Sequence, residues 1–278
     1  MKGVDFSWGR PNVAAMAKDG VKFAFRYLCY DTSGKRLSKY EANNLLAHGI
    51  SPVSNWEEKA GDMLGGYSRG VTYAKEANRQ HLAYGGPPEA PIYFSVDIDA
   101  SDSQLGTCYD FLRGAASVLG WNRLGCYGGY RTIEYMARKN PRPRYFWQTL
   151  AWSGGRWSTH AHVRQYRNNV QYMGALVDHN TAMVSDFGQW TLFTKGNALS
   201  NSLIGLSRGA KGEAVKALQY MLRRAGFDGQ TTGEYDAQTA TRVRDMRRSQ
   251  GTQTTGGDTL TAAAYEQLMY AIVQRMTS

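Results

Sequence analysis

The sequence predicts an α/β fold, a TIM-like (β/α)8 barrel over residues 1–190, followed by a small three-helix domain over residues 204–278. Two observations indicate this organisation. Up to about residue 186, short β-rich runs alternate with helical stretches about eight times, which is typical of a parallel α/β fold. Residues 191–203 are rich in Thr, Lys, Gly, Asn and Ser and show no periodicity, as expected of a linker.

The first part contains eight candidate strands with helices between most of them. Ser38 with Glu41 forms a capping box at the start of one helix, and Ser101 caps another that ends before Gly120. The last three candidate strands have only short connections. The candidate strands are residues 3–6, 22–28, 51–56, 91–97, 124–127, 145–149, 163–166 and 175–178.

The second part shows three helical stretches. Val215, Leu218, Gln219 and Leu222 lie on one stripe of a helix that ends at Gly226, and residues 236–249 and 261–276 supply two more. The module is too small and too poor in paired polar residues to suggest a catalytic site of its own. It could bind a ligand, or it could serve for dimerisation.

The composition indicates a folded, basic protein. Hydrophobic residues make up 42% of the chain and the net charge is +10, so a polyanionic partner is expected. Nucleic acid, an anionic membrane surface and the anionic polymers of a Gram-positive wall all qualify. Residues 206–278 hold ten Lys or Arg against seven Asp or Glu. The excess is therefore spread over the chain, which disfavours nucleic acid.

Neither cysteines nor histidines predict a metal or cofactor. The three cysteines, Cys29, Cys108 and Cys126, are an odd number without a CxxC motif, so we expect free, mostly buried thiols. The five histidines lack a coherent ligand spacing. They are His48, His81, His160, His162 and His179.

The start of the chain lacks the long apolar run of a signal peptide, and no apolar run reaches membrane-spanning length. We therefore expect a protein made in the cytoplasm without a signal peptide and without insertion into the membrane. To act on a cell wall it would need cell lysis, a holin-type pore or a separate export route.

Residues 92–99 carry the strongest catalytic signal, an apolar strand followed by Asp97 and Asp99. On a strand, alternate side chains share a face, so these carboxylates would project the same way with Cα atoms roughly 6–7 Å apart. In a (β/α) barrel the C-terminal strand ends form the active site. Paired carboxylates there suit glycoside hydrolysis, which needs a proton donor and a negative charge near the oxocarbenium ion.

Asp5 and Asp178 close the first and last candidate strands, which barrel closure would bring together. Mutual repulsion in such a cluster would raise at least one carboxyl pKa and supply the protonated acid. The alternative is that each Asp caps the following helix or turn. Asp102, in the first turn of a helix, fits that capping role.

Four segments resemble, in order and spacing, the signature segments of glycoside hydrolase family 25, the lysozymes of bacteria and their phages. They are VDFS at 4–7, VDID at 96–99, QY at 165–166 and VDHN at 177–180. The related glycoside-hydrolase-like barrels (DUF1906) are more similar still. The segments that carry this second resemblance also include RYL at 26–28, YGGY at 127–130, WQT at 147–149 and DFGQW at 186–190.

The resemblance implies an eight-stranded barrel that cleaves the β-1,4 bond between N-acetylmuramic acid and N-acetylglucosamine, with Asp5, Asp97, Asp99 and Asp178 in the site. The lysozymes have Glu as general acid where this chain has Asp99. The missing methylene could leave the carboxyl about 1 Å short, a misplacement that can cost about a hundredfold in rate. Either the substrate sits deeper, or Asp99 works through water, or the barrel binds sugar without cutting it.

The expected roles follow from this resemblance. Asp99 would be the general acid, and Asp97 would stabilise the transition state or orient the acetamido group of the substrate, with Asp5 and Asp178 supporting them. Aromatic rings could stack on sugars and two amides could hydrogen-bond to them, although core packing explains each aromatic equally well. These candidate substrate-binding residues are Trp56, Tyr127, Gln148, Trp152 and Gln165.

The C-terminal part resembles the peptidoglycan-binding domain with a three-helix core, through LSRGAKG at 206–212 followed by Val215 and Leu218-Gln219. It departs from that domain at Met246-Arg247-Arg248, where an aromatic-Gln pair is usual.

Together these features favour a phage-type endolysin, a muramidase with a wall anchor that acts on peptidoglycan and needs no cofactor. A wall-binding protein with little or no activity is the alternative, favoured by Asp99 in place of Glu. Amidase or peptidase action is disfavoured because no zinc-ligand set or Cys/His pair is visible.

Overall fold

The computed structural model describes residues 1–190, 202–252 and 254–277, with side chains as far as residue 275. The chain forms two compact units, Met1–Trp190 and Thr191–Ser278. Most of the predicted linker, residues 191–201, lies outside the described residues.

The first unit is a closed barrel with the strands in sequential order and helices around it, which confirms the predicted fold class. Its strands are β1 Lys2–Asp5, β2 Phe23–Leu28, β3 Ser51–Trp56, β4 Ile92–Ser95, β5 Leu124–Gly128, β6 Tyr145–Thr149, β7 Val163–Tyr172 and β8 Ala175–Ala182. Its helices are α1 Val13–Lys18, α2 Lys39–Ala47, α3 Gly66–Ala83, α4 Asp102–Leu119 and α5 Tyr130–Ala137, with short 3-10 turns at Asp62–Gly65 and Trp121–Arg123.

The last two strands form a hairpin, in contrast to the parallel arrangement expected. Met173 and Gly174 both have positive φ, 48° and 92°, as in a tight two-residue hairpin turn. Such a turn leaves no room for a crossover helix, so β8 runs antiparallel to both β7 and β1. Asp178 consequently lies inside β8, and its register partner is Asp5 at the C-terminal end of β1.

Strand β4 ends at Ser95, two residues earlier than the sequence predicts. Asp97 and Asp99 therefore lie in the segment that leads to α4, where the alternation of side chains along a strand does not apply. The reason for expecting both side chains to project to one face, their position on a strand, is therefore absent from the structure.

Aromatic rings fill the interior of the barrel. Phe25 stacks on Trp147 with ring centroids 3.8 Å apart, and Phe187 packs on Phe23. Tyr93 donates a hydrogen bond to the carbonyl of Phe187, which anchors the segment after β8 across one end of the barrel. The interior is thus a packed core, as expected of a small barrel.

Helices α3 and α4 pack against each other through two glycines. A Cβ at Gly70 would lie 2.0 Å from the carbonyl oxygen of Phe111, and one at Gly114 would lie 2.1 Å from that of Tyr67. Because the opposing atoms belong to the backbone, an added methyl group can be accommodated only if the helices move apart.

We expect Gly114→Ala to lower the free energy of unfolding of the barrel by about 1–3 kcal/mol. Gly106→Ala, in the same helix, is the matched control because its nearest neighbour is the hydroxyl of Tyr135 at 3.8 Å. It should be neutral or stabilise the helix by up to about 1 kcal/mol. Urea unfolding followed by tryptophan fluorescence reports on the barrel alone, since all seven Trp lie within residues 1–190. Equal stabilities of the two variants would contradict this account.

The second unit contains three long helices, Glu213–Arg224, Ala237–Ser249 and Ala262–Thr277, close to the predicted ranges. Val215, Leu218, Gln219 and Leu222 are all buried, as the helical stripe indicates. Gln219 donates to the carbonyl oxygen of Glu234 and accepts from the backbone N–H of Gly233, which fixes the connection to the second helix.

The three cysteines are buried, as predicted. No helix in the part of the chain that the structure describes is long and apolar enough to span a membrane.

Candidate active site

Two carboxylates lie side by side where β8 closes the barrel against β1. Asp5 is buried and Asp178 is partly buried. A single amide nitrogen, Nε2 of Gln165 on β7, donates to Oδ2 of Asp5 at 2.9 Å and to Oδ2 of Asp178 at 3.1 Å. Asn180, two residues after Asp178, donates to the same oxygen of Asp5 at 2.7 Å. The two carboxylates are therefore linked by shared hydrogen-bond donors.

The two amides also have partners on their oxygen side. The oxygen of Gln165 accepts from the hydroxyls of Tyr127 at 3.1 Å and Thr149 at 2.6 Å. The oxygen of Asn180 accepts from the indole nitrogen of Trp147 at 2.8 Å, and an indole can only donate. The NH₂ group of Asn180 must therefore face Asp5. The NH₂ group of Gln165 faces oxygens of Asp5 and Asp178, so Gln165 is a positioning residue with no free hydrogen-bonding group for a sugar.

A bulge in β7 supplies another donor. The register of β7 against β8 shifts between Arg167 and Val170. Asn169 adopts a left-handed conformation there, with φ of 56°, and its backbone N–H donates to Oδ1 of Asp178 at 2.7 Å. Bulges often orient groups beside active sites, and asparagine tolerates this conformation better than most residues.

Burial raises the pKa values of both carboxyls, and repulsion adds to the shift of Asp5. The pKa of Asp5 is raised well above its ordinary value, first by burial and then by the charge of Asp178. Burial also raises the pKa of Asp178, against the opposing effect of the Asn169 N–H. The pair therefore retains a proton to higher pH than isolated aspartates would.

Asp97 lies in the same electrostatic environment and is partly buried. Its pKa is raised to about 6, first by burial and then by the charges of Glu57 and Asp178, against the opposing charge of Lys35. Lys35 forms an ion pair with Glu57 at 2.9 Å, and both side chains are mostly buried. We call Asp5, Glu57, Asp97 and Asp178 the carboxylate cluster.

Glu57 was missed by the reasoning from sequence, although a signal was present. It directly follows β3, and acids after barrel strands were the feature that pointed to Asp5. Glu57 can be assigned to the carboxylate cluster only from the structure, in which Lys35 from the segment after β2 forms an ion pair with it.

Asp99, the expected general acid, has different surroundings. Its side chain is 59% exposed and forms an ion pair with Arg131 of α5 at 2.8 Å. The structure therefore does not group Asp99 with Asp97 as the strand alternation predicted.

The expected sugar-binding residues also fall into different environments. Trp56 is only 1% exposed and packs against Tyr30 and Tyr73, so its ring is not available for stacking. Gln148 is fully buried and hydrogen-bonds to Ser153 and Ser158, which fixes the segment after β6.

Two other candidates differ in their access to a ligand. Tyr127 is 7% exposed, and its hydroxyl is bonded to Gln165. Trp152 is 42% exposed and is the one member of the five predicted residues with an open aromatic face.

Among the described residues, no group of three or more His, Cys, Asp or Glu side chains could hold a metal ion. His81 has a structural role in the core, where its ring nitrogens contact the hydroxyl of Ser54 and the carbonyl of Pro87. Burial lowers its pKa to about 4.

A closed barrel with buried carboxylates at one end is the arrangement of a glycoside hydrolase-like domain. Residues 14–182 match the family described as "Rv2525c-like, glycoside hydrolase-like domain", and the chain belongs to that family. Residues 211–257 match the family "Putative peptidoglycan binding domain". The resemblances to the glycoside-hydrolase-like barrels and to the peptidoglycan-binding domain are thereby confirmed.

The chain is 36% identical over 164 residues to "Putative peptidoglycan hydrolase Rv2525c" of Mycobacterium tuberculosis, covering 56% of this chain and 68% of that protein. The crystal structure of that Tat-secreted protein with L-tartrate matches with a TM-score of 0.65 and 32% identity, over 68% of this chain and 98% of that one. A family 25 glycosyl hydrolase from Bacillus anthracis is a more distant match, with 13% identity, a TM-score of 0.47, and coverage of 67% and 90% of the two chains.

Proposed function

We propose that this protein is a muramidase that hydrolyses the β-1,4 bond between N-acetylmuramic acid and N-acetylglucosamine in peptidoglycan, and that its helical domain holds it on the wall. The main support is Asp97, a partly buried carboxyl with a pKa of about 6 among other acids at one end of the barrel. The peptidoglycan-binding family of the second unit and the mycobacterial relative support the choice of substrate.

In this proposal Asp97 is the proton donor to the glycosidic oxygen, a role the sequence assigned to Asp99. Its raised pKa keeps the acid form available near neutral pH, as the reaction requires. Glu57 and the ionised member of the Asp5–Asp178 pair supply the negative charge that stabilises the oxocarbenium-like transition state or orients the acetamido group of the substrate. Gln165 and Asn180 hold two of these groups in place.

The test is reducing-end release from purified Gram-positive peptidoglycan, followed by mass analysis of the fragments. A muramidase leaves N-acetylmuramic acid at the new reducing ends. New amines without reducing ends would indicate peptide cleavage, and wall binding with neither product would refute hydrolysis of this substrate.

The pH dependence provides a further prediction. Because Asp97 must be protonated to act as the acid, and its pKa is about 6, cleavage should fall as the pH rises through about 6. We expect kcat/KM on soluble peptidoglycan fragments to decline by about tenfold per pH unit well above this value. A rate that stays constant from pH 5 to pH 8, at constant ionic strength, would argue against Asp97 as the donor.

A second candidate function is sugar binding without cleavage. It is favoured by Asp99, since the residue in place of the lysozymes' catalytic Glu is exposed and paired with Arg131. Under either function, the net charge of +10 supports anionic wall polymers as an additional partner.

A phage endolysin released through a holin-type pore is the biological setting that we propose, and detection of the protein at the wall only after pore formation would support it.

A further inference from the structure

Trp8 is an exposed aromatic residue just after β1, three residues beyond Asp5 of the carboxylate cluster. Its side chain is 58% exposed, more than that of Trp152 at 42%. Isolated exposed aromatics are common and need no explanation by themselves. What distinguishes Trp8 is how it is held and what lies next to it.

The segment that carries Trp8 is held in a fixed conformation. The indole nitrogen of Trp8 donates to the hydroxyl of Ser33 at 3.4 Å. Arg10 donates to the carbonyl of Gly9 at 2.7 Å and also to that of Gly34, which ties the segment after β1 to the segment after β2. An exposed ring fixed in this way loses little conformational freedom when it binds a ligand.

Lys35 connects Trp8 to the carboxylate cluster. Its ammonium lies 5.7 Å from the centre of the Trp8 ring, and it pairs with Glu57 at 2.9 Å. It also lies 5.1 Å from the ring of Tyr27, whose hydroxyl is 3.4 Å from Oδ1 of Asp5. One side chain, Lys35, therefore separates Trp8 from Glu57, and two, Lys35 and Tyr27, separate it from Asp5.

Trp152 lies at the same end of the barrel, because β1 to β6 run parallel and both tryptophans follow the C-terminal ends of their strands. Trp152 has a φ of 55°, a conformation that is unfavourable for a bulky residue. The buried hydroxyl of Ser153 anchors it by donating to the carbonyl of Thr149 at 2.5 Å. Strain of this kind is retained where the surroundings enforce it, often at ligand sites.

We propose that Trp8 is the aromatic platform of a second sugar subsite, which binds the N-acetylhexosamine unit next to the bond cut at the carboxylate cluster. Trp152 contacts the same glycan chain at another part of the barrel rim. The inference rests on the proposed function and deepens it: the site takes a polysaccharide of several units, and Trp8 contributes to binding rather than to the chemical step.

The test compares Trp8→Ala, Trp8→Phe and Tyr40→Ala, each in an Asp97→Asn background, by calorimetric titration with chitotetraose, a soluble tetramer of N-acetylglucosamine. Tyr40 is the matched control because it is 81% exposed on the outer helix α2. The C-terminal unit is the same in all variants and contributes equally. We expect Trp8→Ala to weaken binding by about three- to tenfold, Trp8→Phe to retain most of the affinity, and Tyr40→Ala to match its parent.

With Asp97 intact, Trp8→Ala should raise KM for soluble peptidoglycan by a similar factor and leave kcat nearly unchanged. Unchanged binding and KM in Trp8→Ala, when the wild type cleaves, would overturn the subsite but not the muramidase. Trp8-dependent binding without any cleavage would support the subsite and refute hydrolysis. Absence of both binding and cleavage in the wild type would refute both.

Discussion

Asp97→Asn is expected to reduce reducing-end release from peptidoglycan by about 10²- to 10⁴-fold, the usual contribution of a general acid. Asparagine has nearly the same shape but cannot deliver a proton at any pH. Because burial raises the pKa of Asp97 to about 6, the ionised side chain disfavours the folded state above that pH. The variant should therefore be at least as stable as the wild type at pH 7, so that lost activity cannot be attributed to unfolding.

Asp99→Asn is the matched control. Its carboxylate is exposed and paired with Arg131, and such surface pairs contribute little. We expect activity within about threefold of the wild type, corresponding to less than about 1 kcal/mol. If Asp99→Asn proved as damaging as Asp97→Asn, the role of acid would return to Asp99 and the assignment made from the structure would be wrong.

Arg26→Met is expected to lower the free energy of unfolding by about 3–5 kcal/mol, the usual cost of removing one partner of a buried ion pair. Arg26 is fully buried and contacts Glu41 through two nitrogens, at 2.5 and 3.3 Å. Methionine fills similar space but leaves Glu41 without its buried partner; the remaining cation near Glu41, Arg10, is at 3.4 Å and more exposed.

The matching control for Arg26 is Arg79→Met, which breaks a surface pair with Glu76 where the arginine is 65% exposed. It should change stability by less than about 1 kcal/mol. Urea unfolding monitored by tryptophan fluorescence compares the two. A similar small loss in both variants would show that the Arg26 pair makes little net contribution to stability.

Loss of Arg26 should also affect the candidate site. Its guanidinium donates to the carbonyls of Phe6 and Lys35, the first beside Asp5 in sequence and the second in the residue that pairs with Glu57. Arg26, in the RYL segment that carries part of the family resemblance, thus binds the backbone next to Asp5 and at Lys35.

The order of the elements could be predicted from sequence because it depends on local patterns. Apolar runs, Ser38 and Ser101 caps and glycine stops are short-range signals, and the structure places the elements close to them. The antiparallel β8 could not be predicted in this way. The turn Met173-Gly174 lacks the Asn-Gly or Asp-Gly pair that usually signals a tight hairpin.

The candidate site was predictable only in part, since its properties come from side chains distant in sequence. Asp97 and Asp99 look equivalent along the chain, yet contacts from other segments make one partly buried and leave the other exposed. Gln148 and Gln165 likewise lie on neighbouring strands, but one fixes a loop and the other binds two carboxylates. Only the tertiary structure separates these roles.

The hydrogen bonds around Asp5 also determine at what stage of synthesis of the chain the candidate site can form. Asp5 is separated from Gln165 by 160 residues and from Asn180 by 175. Its partners therefore emerge from the ribosome long after it does, and no incomplete barrel can assemble the pair with Asp178. The pair is also the contact at which the first strand meets the last. A newly made chain consequently acquires the candidate site in the same event that closes its sheet, and the activity proposed for it would begin only when the barrel is complete.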